Sequence, residues 1–257
     1  MSEHLPIRFV ATTFNLWKDR RWPEREESMR AYVRTARPDI LCLQEIRPFT
    51  RALLDEELPG HSRVDDPFYG WTGESNIYWN AELFEYVEHG TERIKIDEPE
   101  ILSKRHLFWV RLRVTGRDRT LFVGTAHYAP PGMERERVEG LNPRLHEARE
   151  TLAHLDRLVP KDEPCLFMGD LNESANAIKI LRAGGLTDSF KALGLVPRPT
   201  HPSYPTVATE TGVSPHRLDW QFHRGPLRVM NTSVADFFYS DMAPSDHKPV
   251  VTTYAME

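Results

Sequence analysis

Two short apolar runs place the strongest constraint on the fold, because each ends abruptly in polar residues. The runs are DILCLQE, which ends at Glu45, and CLFMGDLN, which carries Asp170 and Asn172. A continuous apolar run of this length next to a helical pattern is typical of a strand buried on both faces. Such strands need helices or a second sheet on either side. The sequence therefore predicts an α/β protein with polar side chains at the ends of its buried strands.

Hairpin patterns are mixed with these buried strands, so we expect mixed rather than wholly parallel sheets. HLFWVRLRV and TLFVGTAHY are predicted to pair as a hairpin, and NIYWN and LFEYVEHG as a second one. Helical patterns open at Trp22-Pro23 and at Asn142-Pro143. The expected architecture is a four-layer α/β sandwich, with two packed mixed sheets flanked by helices, formed by one domain over residues 1–257.

Two segments lack periodicity and are predicted to lie at the surface. The first runs through Asp66 and Gly70 to Gly73, and the second covers residues 197–216, which we interpret as a functional lid or rim. His201 and His216 flank the second loop, where rim packing is favoured over stacking on a base. Basic residues after His127, among them Arg144 and Arg149, are interpreted as a solvated face rather than a phosphate-binding patch.

Composition excludes several classes of protein. A net charge of −5 and a pI of about 6.1 argue against the broad cationic surface of a protein that binds long duplexes. No apolar run approaches the roughly 20 residues of a membrane-spanning helix, and the N-terminal segment lacks the features of a signal peptide. We expect a cytoplasmic monomer with no obligatory protein partner, in which Cys42 and Cys165 are buried thiols.

The polar residues at strand ends and in adjoining loops are mostly oxygen donors. They are Asn15, Glu45, Asp170, Asn172, Asp219 and Asp246. Oxygen ligands suit Mg²⁺ or Mn²⁺ better than zinc, and the chain has neither a Cys-x-x-Cys pair nor a helical His-x-x-x-His pair. A Gly-x-Ser-x-Gly elbow and a phosphate-cradling Gly-rich turn are also missing from the sequence. The pattern favours hydrolysis of a phosphoester assisted by a divalent metal ion.

Two histidines accompany these oxygen donors. His127 ends the TLFVGTAHY run, and His247 follows Asp246 in PSDHKPV. A carboxylate that accepts from one imidazole nitrogen fixes the tautomer and leaves the other nitrogen for substrate or water. An Asp-His pair that stood alone would more often be a solvated turn. Here the polar residues at the ends of the upstream strands favour a role for this pair in catalysis.

Taken in order, TFNLW, LCLQE, GTAHY, MGDLN, RLDW and PSDHKPV resemble the endonuclease/exonuclease/phosphatase superfamily, which has the DNase I-like fold. The resemblance covers nearly the whole chain. It implies that Glu45 is the principal metal ligand, with Asn15 beside it and Asp246 a further carboxylate on the metal side. It implies one or two ions, and a competing assignment within the family places a second cation on Asp170, Asn172 and His247.

The resemblance also implies catalytic roles. Asp170 matches the residue that orients or deprotonates the attacking water, and Asn172 the neighbour that helps hold the phosphate. His247 matches the histidine that contacts the scissile phosphate, with Asp219 as its carboxylate partner. His127 matches a histidine that protonates the leaving oxygen or steadies the phosphate.

Four functions stay open at this stage. The leading hypothesis is a metal-dependent phosphodiesterase that uses direct in-line water attack. A nuclease on single-stranded or short nucleic acid and a phosphomonoesterase are alternatives within the same chemistry. Outside it, a catalytically silent binding module with the same fold is the competing class. The substrate is accordingly expected to be a small-molecule, lipid-headgroup or nucleic-acid phosphoester.

Overall fold

The computed structural model describes residues 6–94, 105–203 and 215–256. The strands in these ranges are β1 (Ile7–Asn15), β2 (Ile40–Gln44), β3 (His61–Arg63), β4 (Ser75–Asn80), β5 (Phe84–Arg93), β6 (His106–Val114), β7 (Thr120–His127), β8 (Cys165–Asp170), β9 (Thr187–Asp188), β10 (Asp219–Arg224), β11 (Leu227–Val234) and β12 (Val250–Met256). The helices are α1 (Glu26–Ala36), α2 (Pro48–Glu57), α3 (Tyr69–Gly73), α4 (Glu134–Glu139), α5 (Pro143–Leu158), α6 (Asn176–Ala183) and α7 (Ser189–Ala192).

The strands form two six-stranded mixed sheets, as the sequence predicts. The first has the order β11-β12-β1-β2-β4-β3, and the second has the order β5-β6-β7-β8-β10-β9. In each sheet one central pair is parallel, β1 with β2 and β7 with β8, while the other pairs are antiparallel. The predicted hairpin of β6 and β7 is confirmed.

Apolar side chains from both sheets meet in an inner core. Phe9 and Ile77 come from the first sheet, and Val110 and Met168 come from the second. These residues are at most 1% exposed. Because both inner faces are apolar, the two sheets remove each other's surface from water, and hydrophobic burial holds them together.

Helices cover the outer face of each sheet and complete four layers. On the first sheet, Met29 of α1 and Leu53 of α2 join one apolar cluster with strand residues such as Phe14. On the second sheet, α5 and α6 belong to another cluster, to which Leu155 and Ile178 contribute. The predicted α/β sandwich is therefore confirmed.

Two helix starts illustrate how local sequence positions these layers. The Asn142 side chain accepts a hydrogen bond from the Arg144 backbone N–H at 3.0 Å, and Pro143 fills the first helical position of α5, as predicted. The prediction that a helix opens at Trp22-Pro23 is wrong by about one turn. Pro23 precedes α1, which begins at Glu26, because residues 18–25 form turns before the first-turn carboxylates.

The predicted hairpin of NIYWN and LFEYVEHG is also wrong. β4 pairs with β2 and β3 in the first sheet, whereas β5 pairs with β6 in the second. The connection between them crosses from one sheet to the other, so that Trp79 and Phe84 both lie in the inner core. Alternating apolar residues are expected for either arrangement, which is why the pattern did not identify the partner strands.

Of the two predicted surface segments, the first is only partly exposed. Trp71, in α3, is 1% exposed and packs in the inner core. In the second segment, residues 204–214 lie outside the described residues. The prediction for the cysteines is confirmed, because Cys42 and Cys165 are buried free thiols. None of the helices in the described ranges combines the length and apolar character needed to cross a bilayer.

Candidate active site

Polar side chains from both sheets meet where the central strands end. Asn15 is the last residue of β1, and Glu45 directly follows β2, its parallel neighbour. In the second sheet, His127 lies opposite Asp170 across β7 and β8, and Asp170 lies opposite Asp219 across β8 and β10. The carboxyl ends of the parallel pairs thus bring residues that are far apart in the sequence to one edge.

Gly169 allows the two central strands of the second sheet to approach each other at this edge. A Cβ atom at this position would lie 2.0 Å from the Ala126 carbonyl oxygen, which is far inside van der Waals contact. The glycine of the MGDLN segment is therefore required by the close backbone approach beside Asp170.

Asp170 lies at the centre of the candidate site and is 1% exposed. Its Oδ2 accepts a hydrogen bond from the Asn15 amide at 2.9 Å, and its Oδ1 accepts one from the Asn172 backbone N–H at 3.0 Å. The Nε2 atoms of His127 and His247 lie 3.5 Å and 3.8 Å from the same Oδ2. Both imidazoles are beyond hydrogen-bond distance from the carboxylate, so Asp170 lies between two nitrogens that are not hydrogen-bonded to it.

His247 is oriented by Asp219. The Nδ1 atom donates to Asp219 Oδ2 at 2.8 Å, since a carboxylate can only accept, and Asp219 is fully buried. Ser245 fixes the backbone beside the imidazole: its Oγ accepts from the His247 N–H at 3.2 Å and donates to the Asn15 carbonyl at 2.7 Å. Nε2 is left directed toward Asp170 and the cavity.

His127 has a carboxylate partner that the sequence did not identify. Its Nδ1 lies 2.7 Å from Oε1 of Glu74, which is 1% exposed. Arg105 donates to the His127 carbonyl at 2.8 Å and lies 3.8 Å from the same Glu74 oxygen. Burial opposes ionisation of Glu74, but the hydrogen bond and charge of His127 hold the pKa of this carboxyl at about 2.

Glu45 and Asp246 lie on the rim of the site. Lys18 forms an ion pair with Glu45, with 2.8 Å between Nζ and Oε1. Asp246 lies 3.4 Å from Ser245 Oγ, and its Oδ2 lies 3.7 Å from Nε2 of His201. Lys18 was not singled out from the sequence, because long charged side chains are usually solvated, and His201 was expected only to pack at the rim.

A cavity of about 320 Å³ opens between these groups. It is lined by Asn15, Trp17, Lys18, Arg20, Glu45, Arg105, His127, Pro130, Asp170, Asn172, Asp246 and His247. Seven of the eight residues singled out from the sequence contribute to this lining, and Asp219 lies behind His247. The structure therefore brings all eight together at one cavity.

The donors around the cavity suit a divalent cation. Carboxylate and amide side chains supply oxygen atoms, including Asn172 Oδ1, whose amide nitrogen donates to the Tyr128 carbonyl at 3.0 Å. Asp170, Asp219 and His247 each offer one ligand atom, and these atoms lie within 4.8 Å of one another. The carboxylate and amide oxygen atoms fit Mg²⁺ or Mn²⁺.

The charges around Asp170 shift three pKa values. Burial opposes ionisation of Asp170, but the charges of His247 and His127 and the hydrogen bond from Asn15 lower its pKa below the usual range. Burial also disfavours the imidazolium form of His247, yet the charges of Asp219 and Asp170 raise its pKa well above the usual range. Burial raises the pKa of Asp219, against the opposing charge of His247. The site therefore favours an ionised Asp170 beside a cationic His247.

Arg144 corrects one expectation about the basic segment after His127. Its side chain is buried rather than solvated, forms an ion pair with Glu136, and lies 3.6 Å from Glu173. Because the guanidinium is enclosed between these carboxylates, it holds the segment before α5 in place and is not free to bind a substrate phosphate.

Comparison with known proteins gives the same fold. The sequence matches the Endonuclease/Exonuclease/phosphatase family over residues 12–247. An endonuclease/exonuclease/phosphatase family protein from Bacteroides thetaiotaomicron is 18% identical, with a TM-score of 0.79, and the alignment covers 99% of this chain and 100% of that one. No curated protein matches the sequence.

Two further solved structures are similar. The D. rerio TDP2 in complex with a single-strand DNA product is 19% identical, with 96% of this chain and 98% of that chain covered and a TM-score of 0.76. A mannosyl-6-phosphatase from Bacteroides thetaiotaomicron is 18% identical, with 96% and 100% covered and a TM-score of 0.77. This chain belongs to the endonuclease/exonuclease/phosphatase family and has the DNase I-like fold of that family.

Proposed function

We propose that this protein is a divalent-metal-dependent phosphodiesterase that hydrolyses its substrate by direct in-line attack of water. The observation that carries the proposal is the position of Asp170, an ionised carboxylate between two imidazoles that are each paired with a second carboxylate. This arrangement supplies a base and two polarised nitrogens around one small cavity. It offers no activated serine or cysteine, so the proposed mechanism has no covalent enzyme intermediate.

Asp170 is the proposed base. Its lowered pKa keeps the carboxylate ionised at neutral pH, and the hydrogen bonds from Asn15 and the Asn172 N–H hold its orientation. A water molecule hydrogen-bonded to this carboxylate is oriented toward a phosphorus atom in the cavity.

The two imidazoles are proposed to act on the phosphate and the leaving group. His247, oriented by Asp219, contacts a non-bridging oxygen with Nε2, and Asn172 contributes an amide to the same phosphate. His127 has its Nδ1 on Glu74, so that Nε2 faces the cavity and protonates or steadies the leaving oxygen. Each role follows from which nitrogen the partner carboxylate leaves free.

The charge of the site supports a requirement for metal. Glu45, Glu74, Asp170, Asp219 and Asp246 gather five carboxyl groups around a cavity that must accept an anionic phosphate. Glu45 and Asp246, with Asn15, would hold a Mg²⁺ or Mn²⁺ ion, which supplies positive charge to the non-bridging oxygens.

Two alternatives within the same chemistry have specific support. One similar structure is a mannosyl-6-phosphatase, which favours a phosphomonoesterase, and another holds a single-strand DNA product, which favours a nuclease on single-stranded nucleic acid. The net charge of −5 argues against a long duplex as the substrate.

A matrix of metals and substrates tests the proposal. Purified protein is assayed with Mg²⁺ and with Mn²⁺ on bis-p-nitrophenyl phosphate, p-nitrophenyl phosphate, single-stranded DNA, RNA and sphingomyelin. Glu45→Ala should lower the rate on the order of 10²-fold or more, because it removes electrostatic stabilisation of the transition state. Glu82→Ala, at an exposed position, is the matched control. Cleavage of the monoester alone would overturn the diesterase assignment, and metal binding without any hydrolysis would favour a binding module.

A further inference from the structure

The loop before β10 places His201 beside the candidate site through backbone hydrogen bonds. The His201 N–H donates to the His216 carbonyl at 3.0 Å, and the His216 N–H donates back at 2.7 Å. On the other side, the Ser203 N–H donates to the Asp246 carbonyl at 2.6 Å. His201 therefore lies on a short segment that is hydrogen-bonded to both neighbouring loops, so its backbone has a defined position.

That position brings the imidazole close to two residues of the cavity. Nε2 of His201 lies 3.7 Å from Asp246 Oδ2, which is too long for a hydrogen bond. The ring centroids of His201 and His247 are 4.9 Å apart. The three residues each offer one ligand atom, and these atoms lie within 4.8 Å of one another.

These distances fit a metal site. With bonds of about 2.1 Å, neighbouring ligands of one cation lie roughly 3 to 3.5 Å apart, so separations that are now within 4.8 Å need to shorten by at most about 2 Å. Nδ1 of His247 is hydrogen-bonded to Asp219, so Nε2 is free to bind a cation instead of contacting the phosphate directly. Asp219 supplies the carboxylate support that metal-bound histidines usually have. Binding displaces any proton on Nε2.

We propose that His201 supplies a nitrogen ligand to a divalent cation held by Asp246 and His247, and that this nitrogen makes the protein prefer Mn²⁺ to Mg²⁺. The proposal rests on the proposed function, because it concerns the cation of the same site. Both ions bind oxygen donors, but Mn²⁺ is a transition-metal ion that also accepts imidazole nitrogen, whereas Mg²⁺ keeps oxygen atoms and water. A site with two imidazoles and one carboxylate therefore discriminates against Mg²⁺ in a way that a purely carboxylate site does not.

The alternative is a plain ion pair, in which a protonated His201 neutralises Asp246 and plays no part in metal binding. The two explanations differ in their consequences for metal selectivity. Loss of a nitrogen ligand weakens the binding of Mn²⁺ more than the binding of Mg²⁺. Loss of a nearby positive charge instead strengthens the binding of both ions.

Isothermal titration of the full chain with MnCl₂ and with MgCl₂ tests the proposal directly. For His201→Ala we expect Mn²⁺ affinity to fall on the order of 10-fold, with Mg²⁺ affinity changed far less. His216→Ala is the matched control, because it removes an exposed imidazole from the other side of the same backbone bridge and should change neither affinity. Pulsed electron paramagnetic resonance of the Mn²⁺-loaded protein should show weaker coupling to ¹⁴N in His201→Ala than in the parent protein.

His201→Gln is a second variant, which keeps a polar side chain if the alanine variant folds poorly, and circular dichroism checks the fold of each. Equal Mn²⁺ and Mg²⁺ affinities in the parent protein, tighter binding of both ions in His201→Ala, or unchanged ¹⁴N coupling would overturn the inference. The Asp246→Asn variant distinguishes a failure of the inference about His201 from a failure of the proposed function. If it loses Mn²⁺ binding while His201→Ala does not, only the role of His201 is wrong.

Discussion

Replacing Arg25 should destabilise the protein and disturb the proposed metal-binding edge together, because this one side chain joins two loops of the candidate site. Arg25 is fully buried, and its guanidinium donates to four backbone carbonyls. Trp17, Lys18 and Arg20 supply three of them from the loop after β1, and Pro244 supplies the fourth from the loop that carries Asp246 and His247.

The expected magnitude follows from two opposing terms. Burial lowers the pKa of Arg25 from 12.5 to about 10, although Asp246, Glu45 and Asp19 partly offset it. At about 1.4 kcal/mol per pKa unit, the buried charge costs about 3.5 kcal/mol. Arg25→Met removes that cost but leaves three carbonyls without a donor, at about 2 kcal/mol each, since the Trp17 carbonyl also accepts from the Arg20 N–H. We expect a net loss of about 2.5 kcal/mol in the free energy of unfolding.

Urea unfolding measures this loss, and titration with Mn²⁺ measures the effect on the site. The loops should separate when the guanidinium is removed, so Mn²⁺ affinity and hydrolysis should fall in the folded variant, the latter on the order of 10²-fold for a displacement of about 1 Å. Arg25→Lys keeps the charge but not the planar donors and should recover only part of either property. Arg228→Lys, at an exposed position of β11, is the control. A loss of stability below about 1 kcal/mol, or full Mn²⁺ affinity in Arg25→Met, would refute the reasoning.

Three further predictions concern the site and its support. Lys18→Met removes the ammonium from Glu45 and should tighten Mn²⁺ binding a few-fold in a titration; weaker binding would show that Lys18 assists the cation. Because the pKa of Glu74 falls from 4.5 to about 2 on folding, its ionisation stabilises the fold above pH 4.5, and this contribution is lost as the pH falls toward 2. Between pH 5 and pH 3 the free energy of unfolding should therefore fall less in Glu74→Gln than in the parent protein. Parallel curves of unfolding free energy against pH would contradict this. Gly169→Ala, with its Cβ 2.0 Å from the Ala126 oxygen, should cost about 3 kcal/mol or more in thermal unfolding, and an unchanged melting temperature would contradict the predicted clash.

The parts of the site that follow buried strands could be predicted from the sequence. Glu45 and Asp170 follow or end continuous apolar runs, which predict buried strands. Neighbouring parallel strands have their carboxyl ends at the same edge of a sheet. Glu74 could not be found in this way, because it follows a short helix in a segment rich in glycine and aromatic residues. Its role depends on the contact with His127, which lies in the other sheet.

Pairing between strands was predicted well only where a short turn joins them. β6 and β7 form the expected hairpin, since three to five residues leave little choice of partner. The still shorter connection after Asn80, residues 81–83, instead passes from one sheet to the other. Both choices bury Trp79 and Phe84, so the decision depends on packing between sheets, which local patterns do not contain. β11 was not predicted at all, because only three of its eight residues are buried and its apolar pattern is weak.

The opposite pKa shifts of the two buried aspartates account for their different proposed roles. Asp170 and Asp219 face each other across β8 and β10, and both are close to His247. The pKa of Asp170 is lowered because imidazoles and an amide surround it, whereas burial dominates at Asp219 and raises its pKa. Two carboxyl groups with divergent pKa values in one site indicate a division of labour. We infer that Asp170 is the ionised group that faces water, and that Asp219 acts through the orientation of His247.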